Sequence, residues 1–483
     1  MNGRDLVRSV KLVGSKRGLR TVRRAWRRAR ADAWALPGRG AERARVPGPV
    51  AGAEPGPGGG VVRFARSELR IRVAVGGAVF WGWDGAGPEP SYAVDGEVPA
   101  ADLRAVLEPG TDGGWQVVAE RLTVAVSRHG AVELRTPGGV VLRRELPPRW
   151  WEPVAGGAAR WVQRAEVAAD ARFFGLGGRA AGPRLRDGSY ALGNTEPGGR
   201  FGPGDGPLYL PMPVQLVVAD AGTHLVFYDN SCSGRVTLRE GKEGAGSGHD
   251  LLGASEVRVD GGPLRCWAVA GTPARVLAGW SALTGAAAVP PSARHWGEPW
   301  EFGPEALVER ELLRPYAVTL ARVAALTGAP YVRPLWWSAP GDRELRDCED
   351  AFLLGDALLV APVLEPGAVR RSVPLPPGRW YDTVSGAVYE GPGRAVVEAP
   401  LSRVPVLARA GAVIPVRGAD GGLELEVWAP VAGRPGGGMV VRDAGDDREP
   451  VEVERYTSRL EGGRVVVERE GGAVHLPVRV RGV

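Results

Sequence analysis

The sequence predicts a multidomain, mainly β protein with one short helical region. Its 483 residues correspond to roughly three domains at about 150 residues each. From residue 61 onward, short runs of alternating apolar and polar residues are separated by glycine and proline turns, a pattern typical of β-sandwiches. In the body of the chain, helical periodicity is convincing only over 304–327.

The first 60 residues are predicted to be a basic tail followed by a linker. Residues 1–48 contain fourteen Arg and Lys against three acids, a net charge of +11, while the whole chain carries +6. A basic amphipathic helix here would favour an anionic surface such as membrane lipid or nucleic acid; a solvated, partly disordered tail is the preferred interpretation. The rest of the chain has no basic excess, so no specific nucleic-acid partner is expected. The Pro- and Gly-rich stretch 47–60 reads as a linker.

Residues 61–275 are predicted to form an N-terminal β-sandwich. Most of the strand-length runs in this region show a two-residue period, and turns such as Thr136–Gly139 separate them. The predicted strands are 69–75, 122–126, 132–135, 140–143, 214–218, 225–228 and 257–259.

Residues 276–350 carry the helical signals. A short helix is expected at 276–283, and Pro315 should kink or split the longer helix 304–327. A buried strand is predicted at 331–337. Strands then return in two C-terminal β regions, 351–417 and 418–483.

Cysteine and histidine usage indicates the compartment and argues against metal chemistry. Cys232, Cys266 and Cys348 are odd in number and scattered, which favours reduced, mostly buried thiols in the cytoplasm. None of the five histidines forms a pair with metal-ligand spacing. No apolar run reaches the 18 or so residues of a membrane span, and no apolar stretch typical of a secretory signal follows the basic N-terminus. We therefore expect a cytoplasmic protein with no metal and no cofactor.

Several stretches, taken together and in order, resemble glycoside hydrolase family 31. Phe352–Val363 (FLLGDALLVAPV) is the most specific of them. The others are Phe173–Gly177, Leu185–Gly188 with Tyr190 and Asn194–Pro197, Pro207–Tyr209, Phe227–Asn230, Gly378–Asp382 and Arg409–Pro415.

The resemblance implies a galactose-mutarotase-like N-terminal β-sandwich, a catalytic (β/α)₈ barrel and C-terminal β-sandwiches. It also implies a retaining α-glycosidase that removes terminal α-glucosides or α-xylosides. Such enzymes need two carboxyl groups about 5–5.5 Å apart. In this family both are barrel aspartates, and the nucleophile stands in a Trp-x-Asp-Met-Asn-type phrase.

This chain departs from the family between Pro290 and Trp300. The sequence before this stretch resembles the run-in to the barrel, and the sequence after it resembles the barrel's last turn. A complete barrel needs about 250 residues. The nucleophile phrase is absent, and no Asp or Glu lies between Asp260 and Glu298. We therefore expect 276–350 to be a truncated barrel remnant without either catalytic aspartate.

Five residues are weak candidates for contacting a sugar. Glu196 stands where the family's N-terminal loop presents an Asp, and an ordinary turn acid is an equal alternative. Arg294 and His295 lie beside the seam, while Glu298 and Trp300 belong to the family's Glu-Pro-Trp phrase, where the acid supports the site without acting as nucleophile. The acids at 305, 309 and 311 fit a solvated helix face, those at 347, 349 and 350 fit a polar loop, and core packing is preferred for Trp336 and Trp337.

Three functions remain open from the sequence. The first is an α-glycosidase by descent that has lost hydrolysis, through an internal deletion or an error in the coding sequence. The second is a non-catalytic carbohydrate-binding or scaffolding protein, and the third is a working glycosidase with unconventional acids. The sequence leaves the sugar, the linkage and the oligomeric state undetermined.

Overall fold

The computed structural model describes residues 41–110, 112–180, 182–193, 202, 208–246, 249–285, 311–400, 403–441 and 452–483. The chain divides into two compact units. Unit 1 comprises 1–91, 100–216 and 226–268, and unit 2 comprises 92–99, 217–225 and 269–483. The boundaries predicted at 275, 350 and 417 stay predictions.

The first half of the described chain is built from short strands. In chain order they are β1 Glu42–Arg45, β2 Val50–Gly56, β3 Gly59–Phe64, β4 Glu68–Val73, β5 Val79–Trp83, β6 Val106–Pro109, β7 Trp115–Val118, β8 Thr123–Val126, β9 Val132–Arg135, β10 Val141–Glu145 and β11 Arg149–Pro153. They continue with β12 Arg160–Val167, β13 Arg172–Gly175, β14 Gly188–Leu192, β15 Val214–Ala219, β16 Gly222–Tyr228, β17 Gly234–Arg239, β18 Lys242–Gly246, β19 His249–Leu251, β20 Gly253–Val259 and β21 Arg265–Gly271.

These strands form two large sheets, which confirms the predicted N-terminal β-sandwich. One sheet has eleven strands, in the order β14-β17-β20-β12-β10-β9-β8-β7-β6, with β11 and β1 added beside β12. The other has eight, in the order β13-β15-β16-β21-β5-β4-β3-β2. Strand β12 shows why the sequence folds this way, because every second residue, starting with Trp161, is buried. Trp161 stacks on Trp150 with 5.0 Å between ring centroids.

The predicted linker at 47–60 is wrong, because this stretch belongs to the sheets. Strand β1 pairs antiparallel with β11, and β2 pairs with β3. Gly58 turns the chain at a φ of 73°. At Gly59 a Cβ atom would lie 2.5 Å from the carbonyl oxygen of Ile71. Glycine is present because the strands approach closely here. Closely approaching strands and flexible linkers are both rich in glycine, so composition does not distinguish them.

The helices agree with the sequence in kind and differ in extent. Helix α1, Pro273–Thr284, confirms the candidate at 276–283, and the Thr272 hydroxyl caps it by accepting from Arg275 N. Helix α2, Arg314–Thr327, carries Pro315 in its first turn, where its missing N–H costs nothing. Residues 311 and 312 are helical and Leu313 is a turn, so the helical run is split there, as predicted for Pro315. The predicted start at 304 lies outside the described residues.

The strand predicted at 331–337 is mostly a different structure. Only β22, Val332–Pro334, is extended, and a 3₁₀ helix, Leu335–Ser338, follows it. Strand β22 pairs antiparallel with β23, Phe352–Leu354, at the edge of a six-stranded sheet, so its described neighbour is not a parallel barrel strand. The 3₁₀ turn buries Trp336 and Trp337, which confirms core packing for both.

The C-terminal part returns to β structure, as predicted. After a short helix α3, Arg343–Asp347, and beyond β23, its strands are β24 Leu358–Val360, β25 Arg370–Asp382, β26 Val388–Glu398, β27 Val406–Arg409, β28 Val413–Arg417, β29 Leu423–Trp428, β30 Gly436–Val441, β31 Val453–Glu461, β32 Arg464–Arg469 and β33 Val478–Arg481. One sheet has the order β22-β23-β24-β27-β25-β26, and β28-β29-β33 and β30-β31-β32 form two smaller sheets. Helix α2 buries Tyr316 and Leu320 in the cluster these strands share.

All three cysteines are free. Cys266 is buried, Cys348 is half-buried and Cys232 is exposed, so the expectation of mostly buried thiols is wrong for Cys232. Of the helices in the described part of the chain, none has the length and apolar character needed to cross a membrane.

Candidate functional site

The five residues predicted to contact a sugar lie outside the described part of the chain. They are Glu196, Arg294, His295, Glu298 and Trp300. Their roles, and the junction 290–300 itself, stay predictions. The structure does describe the elements that lead into these segments and the other carboxylates that could replace the missing pair.

The strand before the Glu196 loop is held in place by one tyrosine. Strand β14 pairs with β17, and the Tyr190 hydroxyl donates to the Arg186 carbonyl oxygen at 2.7 Å. The Arg179 guanidinium lies 5.2 Å from the centre of the Tyr190 ring and donates to the Ala191 carbonyl at 2.8 Å. Burial raises the pKa of Tyr190, so this hydroxyl remains a donor at neutral pH. These contacts position the chain up to the residues just before Glu196.

The acids of the same loop have structural partners. The Asp187 carboxylate accepts a hydrogen bond from Glu240 N at 2.6 Å. The Glu240 side chain pairs with the largely buried Arg184 at 2.6 Å. Both carboxylates therefore connect the loop to the turn after β17, which explains the Arg-Asp-Gly phrase without a catalytic role.

The described acids that follow the junction are also engaged. Glu311 faces Arg314 at 3.6 Å on the next helical turn. Asp342 caps α3, because its Oδ1 accepts from Leu345 N at 3.1 Å. Its carboxylate satisfies a backbone amide that would otherwise lack a partner.

Two further acids in this region form ion pairs with the long strands of the C-terminal sheet. Glu344 pairs with Arg394 at 2.6 Å, and Asp350 pairs with Arg371 at 2.8 Å. Because each carboxylate neutralises a cation, these contacts support the structural interpretation of the polar loop. They do not supply the two carboxyl groups facing one glycosidic bond that a retaining glycosidase requires.

Asp229 is a buried acid with a raised pKa. It belongs to the phrase Phe227–Asn230. Burial raises its pKa, and the attraction of Arg265, whose Nε lies 3.1 Å from Asp229 Oδ2, opposes that rise. Arg265 also donates to the carbonyl oxygens of Gly87 and Pro90. The buried pair therefore anchors the half-buried to exposed segment 87–90.

The most specific phrase of the sequence surrounds a buried tyrosine. The Tyr316 hydroxyl on α2 donates to the Leu354 carbonyl oxygen at 3.0 Å and accepts from Ala357 N at 3.4 Å. Between them Gly355 has a φ of 60°, and a Cβ atom there would lie 2.3 Å from the tyrosine oxygen. Only glycine fits, because a side chain would collide with the hydroxyl that satisfies this turn.

Arg333 explains the next residue of the phrase. Its guanidinium pairs with Asp356 and donates to the Pro330 carbonyl at 2.6 Å. It also lies 5.2 Å from the centre of the Trp337 ring. Sequence reasoning missed Tyr316 and Arg333 as partners of the Leu-Gly-Asp turn; their signal was a tyrosine on the helical stripe and an arginine inside an apolar run.

Among the described residues there is no group of three or more His, Cys, Asp or Glu side chains that could hold a metal ion. The carboxylates described above are hydrogen-bonded or paired with arginines, and these contacts position the backbone.

A family model matches the region that contains this turn. The Glycosyl hydrolase family 31 C-terminal domain matches residues 328–414. This segment runs from the end of α2 through β22 and β23 to the start of β28, and it includes the whole Tyr316-facing phrase.

Curated relatives are similar over a limited segment. The chain is 39% identical over 126 residues to a probable glucan 1,3-alpha-glucosidase of Arabidopsis thaliana, and those residues are 24% of this chain and 14% of the relative. It is 40% identical over 129 residues to human neutral alpha-glucosidase C, covering 25% of this chain and 14% of that one. It is 46% identical over 90 residues to mouse myogenesis-regulating glycosidase, or 17% and 13% of the two chains. The similarity thus spans well under two thirds of each relative.

Solved structures share the fold over most of the chain. A family 31 dextranase from Flavobacterium johnsoniae, complexed with glucose, has a TM-score of 0.72 at 14% identity over 88% of this chain and 90% of its own. A glucosidase II alpha subunit has a TM-score of 0.73 at 11% identity over 94% of this chain and 91% of its own.

The ordered phrases, the antiparallel sheets they form, the C-terminal family model and these relatives agree on one assignment. Residues 328–414 match the C-terminal domain of glycosyl hydrolase family 31, and about a quarter of the chain is similar to named alpha-glucosidases.

Proposed function

We propose that this protein descends from a retaining α-glycosidase acting on terminal α-glucosides or α-xylosides and that it no longer hydrolyses them. The observation that carries the proposal is the shortage of carboxylates where the family's catalytic aspartates belong. No Asp or Glu lies between Asp260 and Glu298. Since the reaction needs a nucleophile and an acid on opposite sides of one glycosidic bond, losing both abolishes the double displacement.

The described structure supports this proposal in two ways. Between α1 and α2 the chain has only residues 285–313. This is far too short for the six or seven βα units that would complete a barrel of about 250 residues. The described acids that follow α2 in the sequence, such as Glu344 and Asp350, form ion pairs with arginines. We therefore infer that most of the barrel is absent and that no described acid replaces the pair.

The substrate class is inferred from the relatives. Several are named as alpha-glucosidases, and the dextranase structures hold glucose or isomaltotriose. An α-linked glucose saccharide is therefore the first ligand to test.

Hydrolysis of 4-nitrophenyl α-glucoside and α-xyloside by the full chain tests the proposal. We expect no nitrophenol release above a boiled sample, with an intact family 31 glucosidase as the positive control. Release that exceeds the boiled sample would establish a working enzyme with unconventional acids. Glu298→Gln would then be the first variant to assay, because Glu298 is the remaining acid of the family's Glu-Pro-Trp phrase.

The second candidate function is carbohydrate binding without catalysis. It is favoured by the Tyr190 and Arg179 contacts, which hold β14 in place; this strand leads toward Glu196 in the sequence. Thermal unfolding of the protein with and without isomaltotriose tests this binding. A ligand at 100 times its Kd stabilises the folded protein by about 2.7 kcal/mol.

The matched variants are Glu196→Gln and Glu97→Gln; Glu97 is exposed. Stabilisation lost only in the first variant supports binding at the predicted loop. No stabilisation of the parent protein by either glucose or isomaltotriose rejects this second function.

The proposed location is the cytoplasm, supported by three free thiols. For the basic segment 1–48 the proposed ligand is an anionic surface. Co-sedimentation with phosphatidylserine vesicles, compared with phosphatidylcholine vesicles, tests it, and equal sedimentation would leave the segment as a solvated tail.

A further inference from the structure

A cavity of about 930 Å³ lies within unit 2. Its wall is formed by α2, the start of β30, β31, the end of β32 and the turn inside β25. The first three residues of β30 are the glycines 436–438, so these three positions of the wall carry no side chain. A cavity of this size is in the range that holds a small organic ligand.

Arginines dominate the charged lining. They are Arg333, Arg379, Arg409, Arg434, Arg455 and Arg469, against Asp356, Glu468 and Glu470. This excess of positive charge is local. Residues 1–48 carry a net charge of +11 and the whole chain carries +6, so the remaining residues carry about −5.

Three of the arginines are neutralised by described partners. Arg333 pairs with Asp356, Arg379 Nε lies 2.6 Å from Glu390 Oε1, and Arg469 Nη2 lies 3.4 Å from Glu452 Oε1. The lining acid Glu468 is itself neutralised, because Arg459 donates to it and holds its pKa below the usual value.

The other three arginines have no such partner. Within the described residues the side chains of Arg409, Arg434 and Arg455 form no ion pair and no hydrogen bond. Glu470 is the one lining acid that is likewise unpaired among the described residues. The cavity therefore presents about two uncompensated positive charges.

We propose that this cavity binds a small oxyanion, a phosphate or carboxylate group carried by a sugar-sized molecule, through Arg409, Arg434 and Arg455. A guanidinium offers paired N–H donors that match the two oxygens of a carboxylate or phosphate. An anion there gains charge-assisted hydrogen bonds from groups that have no competing partner among the described residues. The proposal is independent of the proposed loss of hydrolysis.

Isothermal titration calorimetry on the full chain at low salt tests the proposal. The probes are inorganic phosphate, glucose 1-phosphate and glucuronate, with glucose as the neutral reference. We expect at least one anion to bind, and more tightly than glucose. Binding of phosphate alone, of the sugar phosphate or of the uronate identifies the source of the oxyanion, and each supports the site.

Matched variants locate the binding. Arg409→Gln, Arg434→Gln and Arg455→Gln should each weaken anion binding tenfold or more. Arg239 is an exposed arginine of unit 1, and Arg239→Gln should change the affinity less than twofold. Arg434 and Arg455 are exposed, so their variants should fold, and circular dichroism confirms it. The proposal is overturned if no anion binds, if glucose binds as tightly as the anions, or if Arg239→Gln weakens binding as much as the cavity variants.

Discussion

The two units of this protein use arginine in opposite ways. In unit 1, Arg143 is completely buried and each of its nitrogens has a partner. Nε donates to Glu145 at 2.7 Å, Nη1 to Gln215 at 2.8 Å and Nη2 to the Tyr228 hydroxyl at 2.8 Å. In unit 2, Arg409, Arg434 and Arg455 border a cavity with no described partner.

The buried arginine connects the two sheets of the sandwich. Arg143 and Glu145 lie on β10 of one sheet, while Gln215 and Tyr228 lie on β15 and β16 of the other. Gln215 returns to the first sheet by donating to the Ser255 hydroxyl at 3.0 Å. Burial alone would lower the pKa of Arg143, but the adjacent Glu145 carboxylate reverses this and keeps it charged.

The difference follows from solvation. A buried charge is tolerated only when protein groups replace its water, and each nitrogen of Arg143 donates to a protein group. A charge at a cavity wall keeps its water and can exchange it for a ligand. The first kind of arginine should matter for stability and the second for binding.

Removing the buried arginine should have the largest effect. Arg143→Leu leaves Glu145 buried without its cation, so we expect a loss of about 3–5 kcal/mol in the free energy of unfolding, measured by urea denaturation. Arg434→Leu at the cavity should cost less than about 0.5 kcal/mol. The double variant Arg143→Met with Glu145→Leu should recover much of the loss. Equal costs for the two single variants would break the comparison.

The tight turn of unit 2 depends on shape instead of charge. Gly355→Ala places a methyl group 2.3 Å from the Tyr316 oxygen and 2.6 Å from Leu320 Cδ2, so we expect a loss of about 1–3 kcal/mol. Gly341→Ala is the control, because no atom lies within 4 Å of the added group. A thermal melt that is lowered equally by both substitutions would contradict this reason.

The hydroxyl that faces this turn should contribute less. Tyr316→Phe removes the hydrogen bonds to Leu354 O and Ala357 N, which should cost about 1–2 kcal/mol in urea denaturation. Tyr92→Phe, at a tyrosine that is 94% exposed, should leave stability unchanged. A neutral result at Tyr316 would mean that water replaces the lost oxygen.

The smallest expected effect is a change of pH dependence at Asp382. Burial raises the pKa of this carboxyl, but hydrogen bonds from Ser385 N, Arg403 and Val384 N outweigh burial and leave it below the ordinary 3.8. Its contribution to stability is therefore complete above that value and is lost as the pH falls through the lower folded pKa.

Asp382→Asn should consequently show a shallower loss of stability between about pH 5 and pH 2 than the parent, in acid titrations followed by fluorescence. Asp420→Asn, in an exposed turn, is the control. A slope that Asp382→Asn leaves unchanged would assign the acid sensitivity to other carboxylates.

Local pattern predicted elements where burial alternates with the backbone period. Strand β8, Thr123–Val126, lies within the predicted 122–126 and alternates in burial, and α1 surrounds the predicted 276–283. Pattern failed at 47–60, because glycines that permit close strand approach look the same as linker glycines. It also failed at 331–337, where Pro334 ends the strand and a 3₁₀ turn buries the tryptophans.

For the site, the sequence determined where carboxylates are absent. The lack of an acid between Asp260 and Glu298 is readable without coordinates, and so are the phrases that resemble the family. The five predicted sugar-contacting residues stay predictions, because they lie outside the described part of the chain. The sequence also placed Arg409 in a phrase that resembles the family, Arg409–Pro415, without indicating that it borders a cavity.

By itself, then, the amino-acid sequence determined the β architecture, the resemblance to the family and the absence of Asp and Glu between Asp260 and Glu298, because these depend on residue types and their local spacing. Only the tertiary structure decided which charges are neutralised. Arg143 meets a glutamine 72 residues further along the chain, whereas Arg434 and Arg455 meet no described partner. Pairing at such separations is set by how the sheets pack, and no local pattern records it.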